Sequence, residues 1–314
     1  MKKILIVGGT GYIGGYLTDT LMDVYDVTVY DNLMYETRFF KNVKFIKGDI
    51  RDYDKLKTII HDYDIICWLA AIVGDGACNV NTKLTYEVNE QSVEWISKNY
   101  KGKLIFMSTC SVYGINDDLI DEDAELNPLS DYARTKVNAE KYILANSNNY
   151  LIFRLGTLFG MSDLYSRPRL DLVVNVLTKF AVEGKTLNVF GGDQWRPLLH
   201  VKDVSNAIKY CIDTNINGLY NISSKNYTIA QIANEIKKII PDAHINYKDV
   251  PFEDFRNYKV KTDKFNKLGW TPSYTLEDGI KEIQYIIYEK RIVEPDNEVY
   301  SNVHHLKLNK GKYD

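Results

Sequence analysis

The stretch Ile4-Leu5-Ile6-Val7-Gly8-Gly9-Thr10-Gly11-Tyr12-Ile13-Gly14 decides how the rest of this 314-residue chain is read. Four consecutive apolar residues suit a strand buried on both faces. Ile13, Leu17 and Leu21 then recur at i, i+4 and i+8, which is one face of a helix. Between strand and helix the glycines fit G-x-G-x-x-G at Gly9, Gly11 and Gly14, and also G-x-x-G-x-x-G at Gly8, Gly11 and Gly14. That position in the chain is the context in which such a pattern signals dinucleotide binding. Glycines let backbone N–H groups approach a diphosphate, and the helix N-terminus adds positive potential there. Gly8, Gly11, Tyr12, Ile13 and Gly14 are therefore the expected cradle. The alternative is a glycine-rich turn that holds nothing.

Working outward, apolar runs recur at Val27–Tyr30, Val43–Ile46, Ile65–Leu69, Leu104–Met107 and Tyr150–Phe153. Helical stretches are expected near 84–98 and 130–145. This alternation predicts an α/β fold, a Rossmann-like doubly wound parallel sheet. After Gly156 the pattern loosens. Helices are expected at 172–183, 203–211 (capped by Asp203), 228–239 and 276–288, with a strand at 187–190. The expected division is a dinucleotide domain of 1–160 plus about 186–215, whose later piece returns a final strand and helix to the sheet. A smaller, discontinuous α+β substrate domain takes about 161–185 plus 216–290, and 291–314 is a polar tail, either an arm over the surface or mobile. The acidic run Asp117 to Glu125 reads as a solvated loop.

Composition removes other classes. Hydrophobic residues are 45% and charged residues 26%, so the chain is globular rather than disordered or fibrous. Lys and Arg total 39 against 42 Asp and Glu, a net charge of −3, which gives no argument for nucleic acid or an anionic membrane. The longest apolar run, Ile65 to Val73, is far short of the roughly 20 residues a spanning helix needs. Cys67, Cys78, Cys110 and Cys211 form no C-x-x-C pair, and with the five histidines they show no zinc-ligand spacing. Free thiols, no metal and a cytoplasmic location are expected.

The chemistry-bearing residues cluster around the same architecture. Asp31 ends the second strand about 20 residues past the glycines, where a carboxylate accepts the adenosine ribose hydroxyls and repels a 2′-phosphate. This favours NAD over NADP. Asn32 follows it. Asp49 and Ile50, after the third strand, suit an adenine edge, although Asp49 is also explicable as a turn acid. Ala70 and Ala71 leave room for the cofactor. Tyr132-Ala133-Arg134-Thr135-Lys136 places a phenol and an ammonium on one helix face. A phenol ordinarily titrates near 10; Lys136 and a nicotinamide cation are expected to lower it so that Tyr132 acts as a base. With 24 tyrosines a lone Y-x-x-x-K is weak, but Thr109 in Ser108-Thr109-Cys110-Ser111 stands at the carboxyl end of the fifth strand, facing the ligand crevice.

These residues together resemble the extended short-chain dehydrogenase/reductase family, in particular its nucleotide-sugar epimerases and dehydratases, over about residues 1–290. The resemblance implies a Thr109–Tyr132–Lys136 catalytic triad, with Lys136 also holding the nicotinamide ribose. It implies that Asn89 supports the active-site water network. Gln194 to Asp203 is similar to the family's R-D-Y-I-H-V-x-D segment, making Arg196 a ligand of the sugar-nucleotide diphosphate. Arg256 stands where a second such arginine is expected, and Arg169 is a further substrate candidate. Each arginine is also explicable as an ion-pair partner. Thr157 stands where many members carry a phosphate-binding Asn. Cys110 and Ser111 occupy the positions of the dehydratases' Asp and Glu, which disfavours dehydration. The implied activity is NAD-dependent epimerisation of a nucleoside-diphosphate sugar, at C4, in a homodimer paired through helices near 84–98 and 130–147. The alternatives are a nucleotide-sugar dehydrogenase or 4-keto reductase with the same triad, and a non-catalytic NAD-binding sensor.

Overall fold

The computed structural model describes residues 1–36, 38–248 and 256–313. Seven strands form one all-parallel sheet: β1 (Lys3–Val7), β2 (Asp26–Asp31), β3 (Lys44–Lys47), β4 (Ile65–Trp68), β5 (Lys103–Thr109), β6 (Tyr150–Leu155) and β7 (Gly218–Ile222). Their order across the sheet is β7-β6-β5-β4-β1-β2-β3. The chain leaves β1 toward β2 on one side and returns to β4 on the other, so the order reverses beside β1. Such a switch point opens a crevice at the carboxyl ends of the strands.

Apolar runs make this sheet because both faces are covered. Ile4 and Ile6 point into one core with Leu17 and Leu21 of the helix Gly14–Leu21; Leu5 and Val7 point into the other with Val93 and Ile96 of the helix Ser92–Asn99. All four β1 residues are fully buried. The stretch expected as one helix near 84–98 is Thr82–Tyr86, a π turn at Glu87–Gln91, and Ser92–Asn99. The helix Asp131–Asn146 packs against it and is capped by Ser130, whose hydroxyl accepts from Ala133 N–H at 3.2 Å.

Three placements differ from the sequence reading. The seventh strand is Gly218–Ile222, whereas Leu187–Phe190 pairs with Ile245–Lys248 outside the sheet. Leu187 and Val189 are buried while Asn188 is exposed, a one-sided strand that cannot sit in a sheet covered on both faces. The helix Val201–Asp213 does pack on the first helix, but His200 caps it. Asp203 instead turns inward and accepts from Ser273 and Tyr274 N–H at 2.9 and 3.0 Å. The acidic run is partly a strand: Ile115–Ile120 pairs with Asn257–Val260, and the Glu122 carboxylate accepts from Asn221 N–H at 2.7 Å.

The tail is ordered against the body. It forms the helix Asn302–Leu308, whose Leu306 is 5% exposed within the core beneath the helix Asp75–Cys78.

Candidate active site

The glycine turn has the geometry of a cradle. Gly8 has φ +83°, and a Cβ there would stand 2.5 Å from the Ala70 nitrogen. A Cβ on Gly14 would stand 2.5 Å from the Gly9 Cα. Any side chain would push the turn off its neighbours, so backbone alone faces the crevice. The Tyr12 side chain points away and donates to the Gly160 carbonyl at 2.5 Å, pinning the turn to the end of the Thr157–Phe159 strand. Tyr12 and Ile13 therefore serve through their backbone.

Asp31 closes the turn from the next strand. Its Oδ2 accepts from Thr10 N–H at 3.1 Å and its Oδ1 from Leu33 N–H at 2.7 Å. Leu33 adopts φ +61° to deliver that bond. The Asn32 N–H and the Thr10 hydroxyl also draw on it. Burial pushes the Asp31 carboxyl above its ordinary value, against the pull of these donors.

The expected adenine contact from Asp49 is not what its carboxylate does in this structure. Arg51 donates to it from Nε at 3.1 Å, from a terminal nitrogen at 3.0 Å and from its backbone N–H at 2.9 Å; Asn32 Nδ2 donates at 3.3 Å. Those four donors fill its acceptor sites. Burial raises the Asp49 carboxyl, and Arg51 outweighs it, so the net shift is downward. Sequence reasoning missed this because it did not pair Arg51 with its near neighbour. Ile50 remains on that wall.

Gly8, Gly11, Tyr12, Ile13, Gly14, Asp31, Asn32, Asp49, Ile50, Ala70 and Ala71 line one cleft enclosing about 1040 Å³, its open mouth included. Asn89 lies behind the wall in the π turn. Its Oδ1 accepts from Ile72 N–H at 2.8 Å and its Nδ2 donates to Ile72 O at 2.9 Å, which fixes the loop that follows β4.

Beyond the cleft, at the end of β5, Thr109 hydrogen-bonds the Tyr132 phenol, and its Oγ1 accepts from Ser111 N–H at 3.1 Å. Lys136 is 4% exposed, donates to Met107 O at 2.8 Å and lies 4.6 Å from the Phe106 ring centre. The three expected catalytic side chains thus converge. The expected lowering of the phenol does not come from the chain itself. Burial is the largest influence and raises it, with Cys78 and Asp75 adding to the rise against Thr109 and Arg169. Burial lowers Lys136 to about 8. Cys110 is fully buried, donates to Arg154 O at 3.3 Å, and burial pushes its thiol up. The Ser111 hydroxyl meets the Tyr258 hydroxyl at 3.2 Å. Arg154 is structural: it forms a buried ion pair with Glu140 at 2.7 Å.

The substrate-side arginines separate into two groups. Arg196 and Arg256 come together: the Arg196 guanidinium donates to Trp195 O at 2.8 Å and to Arg256 O, and Arg256 pairs with Asp75 at 3.2 Å. Asp75 also accepts from the Ser130 hydroxyl at 2.6 Å, which links this pair to the cap of the Tyr132 helix. The rest of the expected 253–256 motif lies outside the described residues. Thr157 begins a short strand beside Leu198, two positions beyond Arg196. Arg169 is elsewhere. It lines the dinucleotide cleft and grips Asp171 at 2.7 and 3.2 Å, because the 161–172 connection runs across that cleft. Tyr258, Glu36 and Asn302 were not foreseen. Glu36 follows Asp31 by five residues into the same cleft, and burial raises it to about 7.

The residues fit NAD on grounds of shape and chemistry: a cradle that tolerates no Cβ at Gly8 or Gly14, an acid beside it on the cleft wall, and unpartnered buried polar atoms (Tyr35 Oη and Arg167 Nε) along the cleft. Comparison with known proteins agrees. The curated relatives include a putative UDP-glucose 4-epimerase of Methanocaldococcus jannaschii, 28% identical over 89% of this chain and 96% of that one. UDP-glucuronic acid decarboxylase 1 of Danio rerio is 28% identical over 92% of this chain and 73% of that protein. Among solved structures, a Bacillus cereus UDP-glucuronic acid 4-epimerase in complex with UDP-glucuronic acid and NAD superposes with TM-score 0.79 at 27% identity, over 92% of this chain and 99% of that one. A Thermotoga maritima UDP-glucose 4-epimerase with UDP-glucose gives 0.80 at 26% identity, over 92% and 99%. The model of the NAD dependent epimerase/dehydratase family matches residues 4–223, and the chain belongs to that family.

Proposed function

We propose that this protein is an epimerase of a nucleoside-diphosphate sugar, inverting C4 through a transient ketone. One observation carries the choice within the family. The triad stands complete, yet the two residues after Thr109 offer no carboxylate: Cys110 is a buried thiol on a backbone carbonyl, and Ser111 is engaged with Tyr258. Removal and return of hydrogen at one carbon needs only the triad, whereas elimination of water needs a further acid and base.

The Tyr132 phenol oxygen takes the proton of the sugar hydroxyl, and Thr109 steadies that oxygen as it becomes a carbonyl. Lys136, four residues on in the same helix, is the group for the nicotinamide ribose. NAD, when bound, supplies the hydride acceptor and a positive charge that favours the phenolate. Since burial alone holds Tyr132 as a neutral phenol, the base is armed only in the loaded protein. Arg196 and Arg256 are assigned to the sugar-nucleotide diphosphate, by the planar fork that suits two phosphate oxygens. Thr157 flanks them. The dinucleotide unit is taken as 1–160 with the segments that bring Val201–Asp213 and β7 back to it. The same reading carries a homodimer through the packed helices Ser92–Asn99 and Asp131–Asn146, and a cytoplasmic location.

The test is proton NMR of UDP-hexoses and UDP-hexuronates incubated with protein that carries NAD. Inversion at C4 with no net NADH is expected, and Tyr132→Phe should slow it by about a hundredfold or more, the span of general-base catalysis. Stoichiometric NADH would select the net oxidoreductase instead. A Tyr132→Phe chain working within a few-fold of wild type would overturn the mechanism.

A further inference from the structure

The C-terminal segment bonds to the loops after β2, β3 and β4, each of which lines the cleft or flanks its wall. Asn302 Nδ2 donates to Val73 O at 3.0 Å, after β4. His305 Nε2 and Met34 O lie 2.8 Å apart, and the Tyr313 hydroxyl donates to the same Met34 carbonyl at 2.7 Å, after β2. Arg51, after β3, donates to Tyr313 O at 2.8 Å. Asn302 N–H reaches Asp171 at 2.9 Å on the opposite wall, and Asn302 itself lines the cleft. One segment thereby adds bonds to walls that also meet directly, through Asn32 with Asp49 and Glu36 with Arg167.

The same segment holds a cation. The Arg167 guanidinium donates to Val299 O and to Asn302 Oδ1 and lies 4.7 Å from the Tyr35 ring centre. Its two acceptors are neutral. Its Nε is buried without a partner, as is the Tyr35 hydroxyl, and both residues line the cleft. Glu36 accepts from the Arg167 backbone N–H rather than from its head group. The neighbouring Arg169 is committed to Asp171. The Asp171 and Glu36 carboxylates favour its charge without hydrogen-bonding its head group. A partly buried guanidinium whose hydrogen-bond partners are neutral gains from a further anion. Burial, then the charge of Arg169, lowers Arg167 to about 10. The anion of a bound dinucleotide is its diphosphate, and the glycine turn with its helix N-terminus lies in the same cleft.

We propose that the segment from Asn302 to Tyr313 is an integral part of the NAD site, latching its adenosine-side loops and holding the Arg167 guanidinium as counter-ion to the cofactor's diphosphate. The proposal rests on the family's NAD dependence and not on which sugar is turned over. It gives the arginines of the 161–172 connection to the cofactor and leaves Arg196 and Arg256 to the substrate.

Calorimetric titration of NAD-free protein with NAD, ADP-ribose and adenosine separates phosphate recognition from general damage. Arg167→Gln should weaken NAD and ADP-ribose at least about tenfold, the loss expected for a charged hydrogen bond, and leave adenosine within about twofold. Arg167→Lys should recover part of the loss. Asn302→Ala, and a chain ending at Asn309, should speed NADH release about tenfold in a fluorescence chase while the melting temperature of the cofactor-free protein holds. Tyr313→Phe removes one latch bond without shortening the chain and serves where either of those does not fold. Equal weakening of all three ligands by Arg167→Gln, or unchanged affinities and release rates, would overturn the proposal. A wild-type chain that does not bind NAD would instead sink the cofactor assignment.

Discussion

Lys136 places a measurable stability cost on the cofactor-free protein. Its amine is buried, and burial lowers it from the ordinary 10.5 to about 8, with Cys78 and Glu140 pulling weakly the other way. Between those values the unfolded chain binds more protons than the folded one, so stability rises with pH through that window. The penalty on the charged amine is about 3 kcal/mol at pH 7 and about 1 kcal/mol at pH 9.5, from the two proton-binding equilibria. Lys136→Met keeps the volume and removes the titration. The stability of the variant minus that of the wild type should therefore fall by about 2 kcal/mol from pH 7 to pH 9.5, since groups common to both chains cancel. Urea unfolding of NAD-free protein at the two pH values, at constant ionic strength and with matching m-values, reads this difference. The variant should also lose epimerisation, trading activity for stability at pH 7. A difference constant to within about 0.5 kcal/mol across that range, less than half a pKa unit's worth, would refute a buried, depressed lysine.

Two further outcomes follow from buried charge. Glu140→Gln leaves Arg154, 5% exposed, facing a neutral partner and also loses an acceptor for the Ser108 hydroxyl, so chemical denaturation should show a loss of about 3–5 kcal/mol. Asp31→Ser removes the acceptor of Thr10 and Leu33 N–H and the charge that would face a 2′-phosphate. Equilibrium titration should then show NAD weakened about tenfold and the NAD-over-NADP preference reduced, as expected for a lost charged hydrogen bond; an unchanged preference would mean that Glu36 sets it.

What could be read in the sequence was whatever is encoded locally. The glycine turn needs specific residue types at specific backbone angles, and Gly8 at φ +83° against Ala70 has no substitute. Asp31 was legible because it ends a strand of buried residues. Leu187–Phe190 was misplaced in the sheet because four residues with one exposed side chain give too little pattern to tell an edge pair from a central strand. The tail was illegible for a different reason. Three of its bonds to the cleft end on the backbone carbonyls of Met34 and Val73, which every residue possesses. Arg169 was assigned to the sugar because residue type gives the ligand class, a phosphate, and not the place; the path of the chain puts it on the wall of the cleft that holds the glycine turn.

Tyr132 shows where the boundary between the two kinds of information falls. Y-x-x-x-K picked out a phenol that the fold buries beside the end of β5, and the hydroxyl loop behind it supplied Thr109. The sequence argument then let a lysine one helical turn away lower the phenol. In the structure that amine is spent on Met107 O, and the phenol, 8% exposed, is raised by burial before any charge acts. Spacing along a helix fixes which side chains share a face, but the direction of a pKa shift depends on how much water the fold removes, a sum over many distant residues. A base that stays protonated until a cation arrives has a consequence. Without cofactor the pocket presents a neutral phenol beside an amine that burial lowers to about 8. On the proposed mechanism it is desolvation, and not a residue that a motif search would find, that makes the base depend on the cofactor.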